Sequence, residues 1–386
     1  MDIKYIGFFD HVSNAREGRA HALSAASKME YIADALNRLG HRVLIISPSQ
    51  TKHRRYFPGH TRQLTPMTWL RVFPTYPRGT IAQRLLRVVA GKIFLLAYLL
   101  RNTRAGEPVL VYHSLDIQEV VLVAKVLRRF RLILEVEEIY QDVVNTSRWK
   151  RKTEYALFGK ADAFIFSTEL LDEKLNTGGK PHAVVYGTYK RPEQTGKSTN
   201  DGRTHVVYAG TLDPRKGGAA AAAAAAAYLD GSFHIHILGF GSDSDIAAMK
   251  RAVSRVSSAN AGLVSFDGVL RGKEYSKFLR QCDVGLSTQN PSAEFNDSSF
   301  PSKILSYLAH GLKVVTVRIP AIERSRIAPA VTFYDHQEPP EIAEAIREAV
   351  SSRARDNIAL IEQLDIEFMS SLARLVEAVK SQGGCR

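Results

Sequence analysis

Short apolar runs alternate with helix-period segments twice along this chain, and a polar stretch over 188–203, rich in Lys, Gly, Thr and Pro, separates the two series. That rhythm constrains the fold more than any single motif, because strand, helix and strand in succession return the chain to the same sheet in parallel. In the first series 3–9, 42–47, 109–113, 131–136 and 163–167 read as strands, with helices over 24–39, 117–129 and 147–158. The second series gives strands at 205–209, 234–238, 264–266, 284–287, 314–317 and 331–334. The expected fold class is α/β, two Rossmann-like doubly wound domains facing a cleft. Boundaries follow at 1–187 for the first domain, 188–204 for a linker, 205–354 for the second domain and 355–386 for a terminal helix free to cross back to the first. The alanine run 219–227 favours helix and close packing and carries no chemistry.

With 45% apolar and 24% charged residues the chain is neither disordered nor fibrous. Two cysteines, Cys282 and Cys385, are too few for a disulfide framework or a structural zinc. No charged-then-apolar leader precedes the first strand, so the reducing cytoplasm is the expected compartment. The net charge of +13 is local: residues 35–106 hold 13 Lys and Arg and no Asp or Glu. A field of one sign on that scale calls for an anionic partner, either nucleic acid or an acidic membrane surface.

Ligands of an open parallel sheet gather beyond the carboxyl ends of its strands, so the loops there hold the candidates. Gly210-Thr211 opens the loop that runs through Arg215 and Lys216 to Gly218; glycine admits a phosphate to the backbone and the two side chains supply charge. Gly239 and Gly241 flank Phe240 after the next strand, and Gly268 ends the one after. Asp243 and Asp245 form a D-x-D pair, read as a helix start with Asp245 as N-cap, so no metal site is expected. The densest stretch is 294–311: Ser299 is read as a cap, Pro301 as first turn and Gly311 as the stop. Ser299, Ser302 and Lys303 crowd the helix mouth, a constellation suited to a diphosphate.

These pieces, in the order Tyr208-Ala209-Gly210-Thr211-Leu212, Lys216-Gly217, Gly239-Phe240-Gly241, Phe266-Asp267-Gly268 and Phe300-Pro301-Ser302-Lys303-Ile304-Leu305-Ser306-Tyr307 with Gly311, resemble the GT-B glycosyltransferases of the family four type, which include bacterial surface polysaccharide enzymes. The first half is similar more loosely, through Ala15-Arg16-Glu17-Gly18 and Tyr112-His113-Ser114. The resemblance implies transfer of a sugar from a nucleoside-diphosphate donor, UDP or GDP, held mainly by the second domain, to an acceptor held by the first. The nucleotide sugar is then a substrate, and no cofactor or metal is implied. Two departures matter. Ser298 and Ser306 stand where the family usually carries glutamates, one of them on the donor ribose, so Glu294 and Asp297 become candidates for the sugar contact. Thr211 replaces the usual basic residue after the glycine, which leaves Lys216 and Lys303 as the phosphate cations. Glu137 and Glu138 occupy the place of the family's histidine motif, beside Glu135, and suit deprotonation or orientation of an acceptor hydroxyl. Gly18, His21 and His113 complete the acceptor-side candidates.

The basic segment reads as a membrane contact. Arg84, Arg87 and Lys92 interleave with apolar residues before the unbroken apolar run 93–100, with Trp69, Phe73 and Tyr76 upstream. That run is well short of the roughly 20 residues that span a bilayer, so the expectation is a helix lying on an anionic surface, with the protein peripheral on the inner face of the cell membrane and a lipid-linked or surface-glycan acceptor. A nucleic-acid-binding protein is the rival from another class, but no recognised base-reading module is present. A nicotinamide oxidoreductase needs a glycine fingerprint after the first strand, where Asp10-His11-Val12-Ser13 stands instead. Within the glycosyltransferase reading, an inverting enzyme with Glu137 or Glu138 as base is the alternative to a retaining one.

Overall fold

The computed structural model describes residues 1–140, 146–192, 201–214, 218–257, 263–291, 296, 299–353 and 356–381. The chain forms two compact units, Met1–Val185 with the terminal stretch from Glu367, and Tyr186–Ile366. Each is built on its own sheet.

The first sheet has eight strands, β1 (Asp2–Ile6), β2 (Arg42–Ser47), β3 (His60–Thr65), β4 (Thr68–Val72), β5 (Pro108–Tyr112), β6 (Arg131–Val136), β7 (Ala163–Phe166) and β8 (His182–Val184), in the order β3-β4-β2-β1-β5-β6-β7-β8. All pair in parallel except β3, which closes the edge antiparallel to β4. The central strands are predominantly apolar, as expected of strands covered on both faces. Helices α1 (Leu23–Arg38), α2 (Ile81–Asn102), α3 (Gln118–Arg128), α4 (Arg148–Lys160) and α5 (Glu169–Leu175) belong to this unit. Leu95 and Leu99 of α2 enter a core with Val109, Val111, Val121, Leu132 and Leu134.

The β3–β4 hairpin and the short β8 and α5 were not expected from the pattern. His60–Thr65 is exposed along most of its length, so an edge strand of that composition carries no apolar alternation to read. Trp69 and Phe73, expected beside a membrane helix, instead belong to this sheet: Trp69 lies on β4, and Phe73 is buried against Phe94 and Tyr98.

α2 is one helix of 22 residues with a Thr80 capping box, in which Gln83 N donates to Thr80 Oγ1 and Thr80 N to Gln83 Oε1. Its apolar stripe differs from the one expected. Leu95 is buried and Phe94 packs on the core, while Ile81, Leu85, Leu86, Val88, Val89 and Ile93 are exposed. Of the three cations read as membrane-facing, two are engaged by protein, Arg87 donating to Thr51 O at 2.7 Å and Lys92 pairing with Glu119 at 2.9 Å. Among the described residues no helix is long and apolar enough to cross a membrane.

The second sheet is wholly parallel. Its strands β9 (Thr204–Thr211), β10 (Phe233–Phe240), β11 (Leu263–Gly268), β12 (Val284–Ser287), β13 (Lys313–Val317) and β14 (Val331–Tyr334) run in the order β11-β10-β9-β12-β13-β14. The first three strands go one way from β9 and the last three the other. Helices α6 (Ala219–Ala225), α7 (Asp243–Ser257), α8 (Gly272–Leu279), α9 (Lys303–Ala309), α10 (Pro320–Glu323) and α11 (Pro339–Ser351) connect and cover them, and α12 (Asn357–Ser381) ends the chain. Ala222, Ala223, Ala225 and Ala226 are fully buried, so the alanine run serves close approach of its helix to the sheet. Farther along α12, Phe368 stacks on Tyr31 of α1 at 5.6 Å between ring centroids.

Candidate active site

Where strand order reverses in a doubly wound sheet, the connections leave in opposite directions and open a crevice at the carboxyl ends. In the second unit that point lies between β9 and β12. Lys303, the first residue of α9, is placed there by the chain that follows β12. Its Nζ lies 4.3 Å from the centroid of the Tyr208 ring, and a Cβ on Gly210 would stand 3.1 Å from it. Among the described residues Nζ has no hydrogen-bond acceptor and no carboxylate; a ring face is its partner. Loss of hydration pulls its pKa from 10.5 down to about 8.

The surroundings are fixed by packing. Tyr208 donates its hydroxyl to Thr211 O at 2.8 Å, which holds the ring under the ammonium. Buried Tyr307 of α9 accepts from Ala209 N at 2.8 Å, tying that helix to the end of β9. A Cβ on Gly285 would sit 2.3 Å from the Tyr307 ring, so only glycine lets α9 lie on β12. Gly218 is bound as closely: a Cβ would fall 1.4 Å from Thr288 O, while Thr288 Oγ1 donates to Gly218 O at 2.9 Å.

The remaining donor-side candidates divide. Gly239 pairs with Gly210 across β10 and β9, and the space of its missing side chain is filled by Leu212, 2.6 Å from a notional Cβ. Gly241 meets Leu212 and Asp245 in the same way, so close protein packing accounts for both glycines. Asp245 is not the N-cap. It is the third residue of α7 and accepts from Ser242 N at 2.9 Å, while Asp245 N donates to Ser242 Oγ at 3.2 Å, so Ser242 is the cap of a capping box. Likewise α9 starts at Lys303 with Ser302 in the cap position and no side-chain cap bond, which puts Ser299 and Pro301 ahead of the helix rather than in it. Ser306 hydrogen-bonds Tyr275. Thr211 Oγ1 accepts from Asp213 N at 3.1 Å, and Gly268 takes a positive φ of 75° at the end of β11. Arg215, Lys216, Glu294, Asp297 and Ser298 lie outside the described residues.

At the carboxyl edge of the first sheet the acceptor-side candidates are held by protein partners. Glu137 forms an ion pair with Lys28 of α1, whose Nζ also donates to Val185 O at 2.8 Å. Glu135 is fully buried and accepts from the Tyr5 hydroxyl; burial first, and the nearby Glu137 charge second, raise its pKa well above the ordinary 4.5. Glu138, half-buried, follows Glu137 beyond β6. His113 is 1% exposed, stands between the Tyr140 and Phe158 rings and lies 3.3 Å from Glu154, and burial lowers its pKa to about 3. It is a neutral core residue facing α4. His21 is half-buried with Nδ1 3.0 Å from Arg19 O, and Gly18 has a φ of 52° with its missing Cβ 2.5 Å from His53 Nε2.

Residues 203–352 match the family model described as Glycosyl transferases group 1. No curated protein matches the chain significantly in sequence. Solved structures match its fold along almost its whole length. HepE (Alr3699) of Anabaena, in complex with UDP and glucose, is 14% identical with a TM-score of 0.65 and covers 97% of this chain and 99% of its own. Trehalose-6-phosphate synthase of E. coli bound with UDP-2-fluoro glucose is 11% identical with a TM-score of 0.62, covering 100% and 98%. The α,α-trehalose 6-phosphate synthase of Burkholderia multivorans is 12% identical with a TM-score of 0.61, covering 98% and 97%.

The chain is a glycosyltransferase of the GT-B fold. Within this glycosyltransferase, sequence reasoning missed Lys28, Tyr5 and Arg19. Lys28 had a readable signal, since it falls on the buried stripe of α1 with Ala25, Met29, Ile32 and Leu36. Tyr5 had none, because its place beside Glu135 depends on the order of β1, β5 and β6. Arg19 sits in a loop, 1% exposed, and donates to Ser49 O at 2.9 Å and Phe73 O at 3.0 Å, joining chain segments far apart in sequence.

Proposed function

We propose that this glycosyltransferase moves a sugar from a nucleoside-diphosphate donor, UDP in preference to GDP, to a lipid-linked or surface-glycan acceptor. The observation that carries the donor assignment is Lys303: a desolvated ammonium at the strand-order reversal, beside Gly210, with no anion of its own among the described residues. A diphosphate supplies the missing partner, and stripping water from the cation beforehand strengthens its pull on charge that develops as the sugar leaves. Two structural neighbours bind UDP or a UDP sugar, which favours uridine. Lys216, with Arg215, would add charge from the loop after β9, and Glu294, Asp297, Ser298, Ser299, Ser302 and Ser306 would face the sugar and ribose.

Retention of anomeric configuration fits best. An inverting mechanism needs a free general base near the acceptor, whereas the Glu137 carboxylate is engaged in an ion pair with Lys28. In the retaining scheme the leaving diphosphate takes the acceptor proton, Lys303 offsets its charge, and the acceptor oxygen bonds to the anomeric carbon as the carbon–phosphate oxygen bond breaks. A mass-spectrometric hydrolysis screen across UDP, GDP, dTDP and CMP sugars tests the donor. Turnover of a UDP sugar by the native chain and its loss in Lys303→Ala is expected; turnover of a CMP sugar alone overturns the reading.

The peripheral membrane site is proposed at the amino half of α2. Ile81, Leu85, Leu86, Val88 and Val89 are exposed there, with Arg84 on the same helix and the exposed Lys52, Arg54, Arg55 and Arg78 nearby in sequence. Apolar side chains enter the acyl boundary while cations meet headgroups.

A further inference from the structure

Three imidazoles meet on one face of the second sheet, near the amino ends of the strands and so at the opposite end from Lys303. His205 of β9 is the register partner of His234 of β10, and His236 follows two residues on, which returns it to the same face. One ring nitrogen from each lies within 4.8 Å of the others. His205 Nδ1 and His236 Nε2 are 2.9 Å apart, and the His234 and His236 ring centroids 3.9 Å. Three imidazoles this close can each offer one ring nitrogen to a single ion.

The outer nitrogens decide between a packed aromatic cluster and a ligand set. His205 Nε2 lies 3.0 Å from Asp201 Oδ1, and His236 Nδ1 lies 3.2 Å from Asp267 Oδ2, itself steadied by Ser265 Oγ at 2.8 Å. A carboxylate beside the far nitrogen orients the ring and leaves the near nitrogen to act as a ligand; this is how metal-binding histidines are held. Two of the three imidazoles carry such a partner. His205 and His234 are half-buried, so an ion has a way in, and His236 at 9% exposure forms the floor against Phe278.

We propose that His205, His234 and His236 bind one divalent transition-metal ion of the zinc class, with Asp201 and Asp267 as positioning residues. Imidazole suits zinc, copper and nickel rather than magnesium or calcium, and three histidines leave a fourth position for water. The ion ties the first turns of β9 and β10 together and takes no part in sugar transfer, so the inference stands whatever the donor proves to be.

The test is zinc titration of the chelator-stripped full chain by calorimetry, with thermal unfolding and the visible spectrum of the cobalt-loaded protein as second readouts. One zinc per chain, a higher Tm with zinc and the intense visible bands of four-coordinate cobalt are expected. His234→Ala, at a half-buried position, is expected to keep the apo Tm and lose at least about tenfold in affinity, with Asp267→Asn losing roughly tenfold. His336→Ala, a histidine outside the cluster, is expected to bind as the native chain does. Zinc binding unchanged in both His234→Ala and His236→Ala, or weak six-coordinate cobalt bands, overturns the site; so does a native chain that takes up no zinc.

Discussion

At and beyond the end of β6 in the first unit, polar groups are held by protein partners: Lys28 pairs with Glu137, Glu154 stands beside the neutral His113, and the Tyr5 hydroxyl meets a Glu135 carboxyl kept neutral by burial. Beyond β12 in the second unit, Lys303 is desolvated with a tyrosine ring beneath it and no acid among the described residues. Both edges are carboxyl ends of parallel strands, where α/β proteins place ligands. The difference separates ions that serve the fold from one that the fold tolerates. A paired buried ion loses its partner only by mutation, whereas Lys303 has no anion among the described residues, and the proposed donor would bring one.

The largest effect should come from breaking a pair. Lys28→Met strands Glu137 and removes the positive charge nearest Glu135, and one-sided loss of a buried pair costs about 3 to 5 kcal/mol. In a unit of this size that is a Tm lower by roughly 10 °C. Thermal unfolding checks it, and an unchanged Tm would show that water already reaches the pair. Lys303 should behave in the opposite sense. Lys303→Ala is expected to lose about 1.5 to 3 kcal/mol of transition-state stabilisation, ten- to a hundredfold or somewhat more in kcat/KM, as one charge-assisted phosphate contact disappears. Lys303→Met should be as inactive yet melt no lower than the native chain, because it removes a desolvated charge and keeps the packing on Tyr208.

The same contrast appears in pH dependence, with opposite signs. Glu135 holds its proton more tightly folded than unfolded, so its contribution to stability is full below pH 4.5 and is lost as pH rises through its raised folded value. Lys303 holds its proton less tightly folded than unfolded. Between about 8 and 10.5 the unfolded chain therefore binds more protons, and this term raises stability as pH rises through that window. Denaturant midpoints across pH for Glu135→Gln and Lys303→Met should each lose one of these slopes. Donor affinity should fall as pH passes about 8, where the free enzyme's Lys303 gives up its charge.

Legibility from sequence followed the same divide. The alternation of apolar runs sufficed for all six strands of the second sheet and for five interior strands of the first, since covered strands are largely apolar, but it missed β4 and β8. It failed at His60–Thr65, where the edge strand is exposed and polar, and at the helix starts, where Ser242 rather than Asp245 caps α7. Lys303 was legible because its chemistry sits in one contiguous stretch. The Tyr5–Glu135 and Lys28–Glu137 contacts were not, because they join residues 130 and 109 positions apart. The packing reason for Gly218, Gly239 and Gly285 was equally hidden, since each accommodates an atom from another part of the chain.

The smallest effect on stability is expected on the amino half of α2, where Arg84 and several apolar side chains are turned outward. Ile81 and Leu85 are 84% and 65% exposed, so replacing Leu85 and Leu86 with Ser removes no core contact and should shift stability by no more than about 0.5 kcal/mol. Phe94→Ser and Leu95→Ser, in contrast, open the core at Leu99 and Val109 and report on folding instead. Sedimentation with vesicles containing anionic lipid distinguishes the two faces. Each cation near such a surface contributes about 1 kcal/mol and is screened by salt, while inserted leucines contribute a part that salt does not remove. Arg84→Ser, at an exposed position in the amino half of α2, should lower binding at low salt only. Leu85→Ser with Leu86→Ser should remove the salt-resistant fraction while leaving hydrolysis of the nucleotide sugar intact. Equal sedimentation of native and doubly substituted chains at every salt concentration would leave these residues as ordinary surface and place the acceptor encounter elsewhere on the first unit.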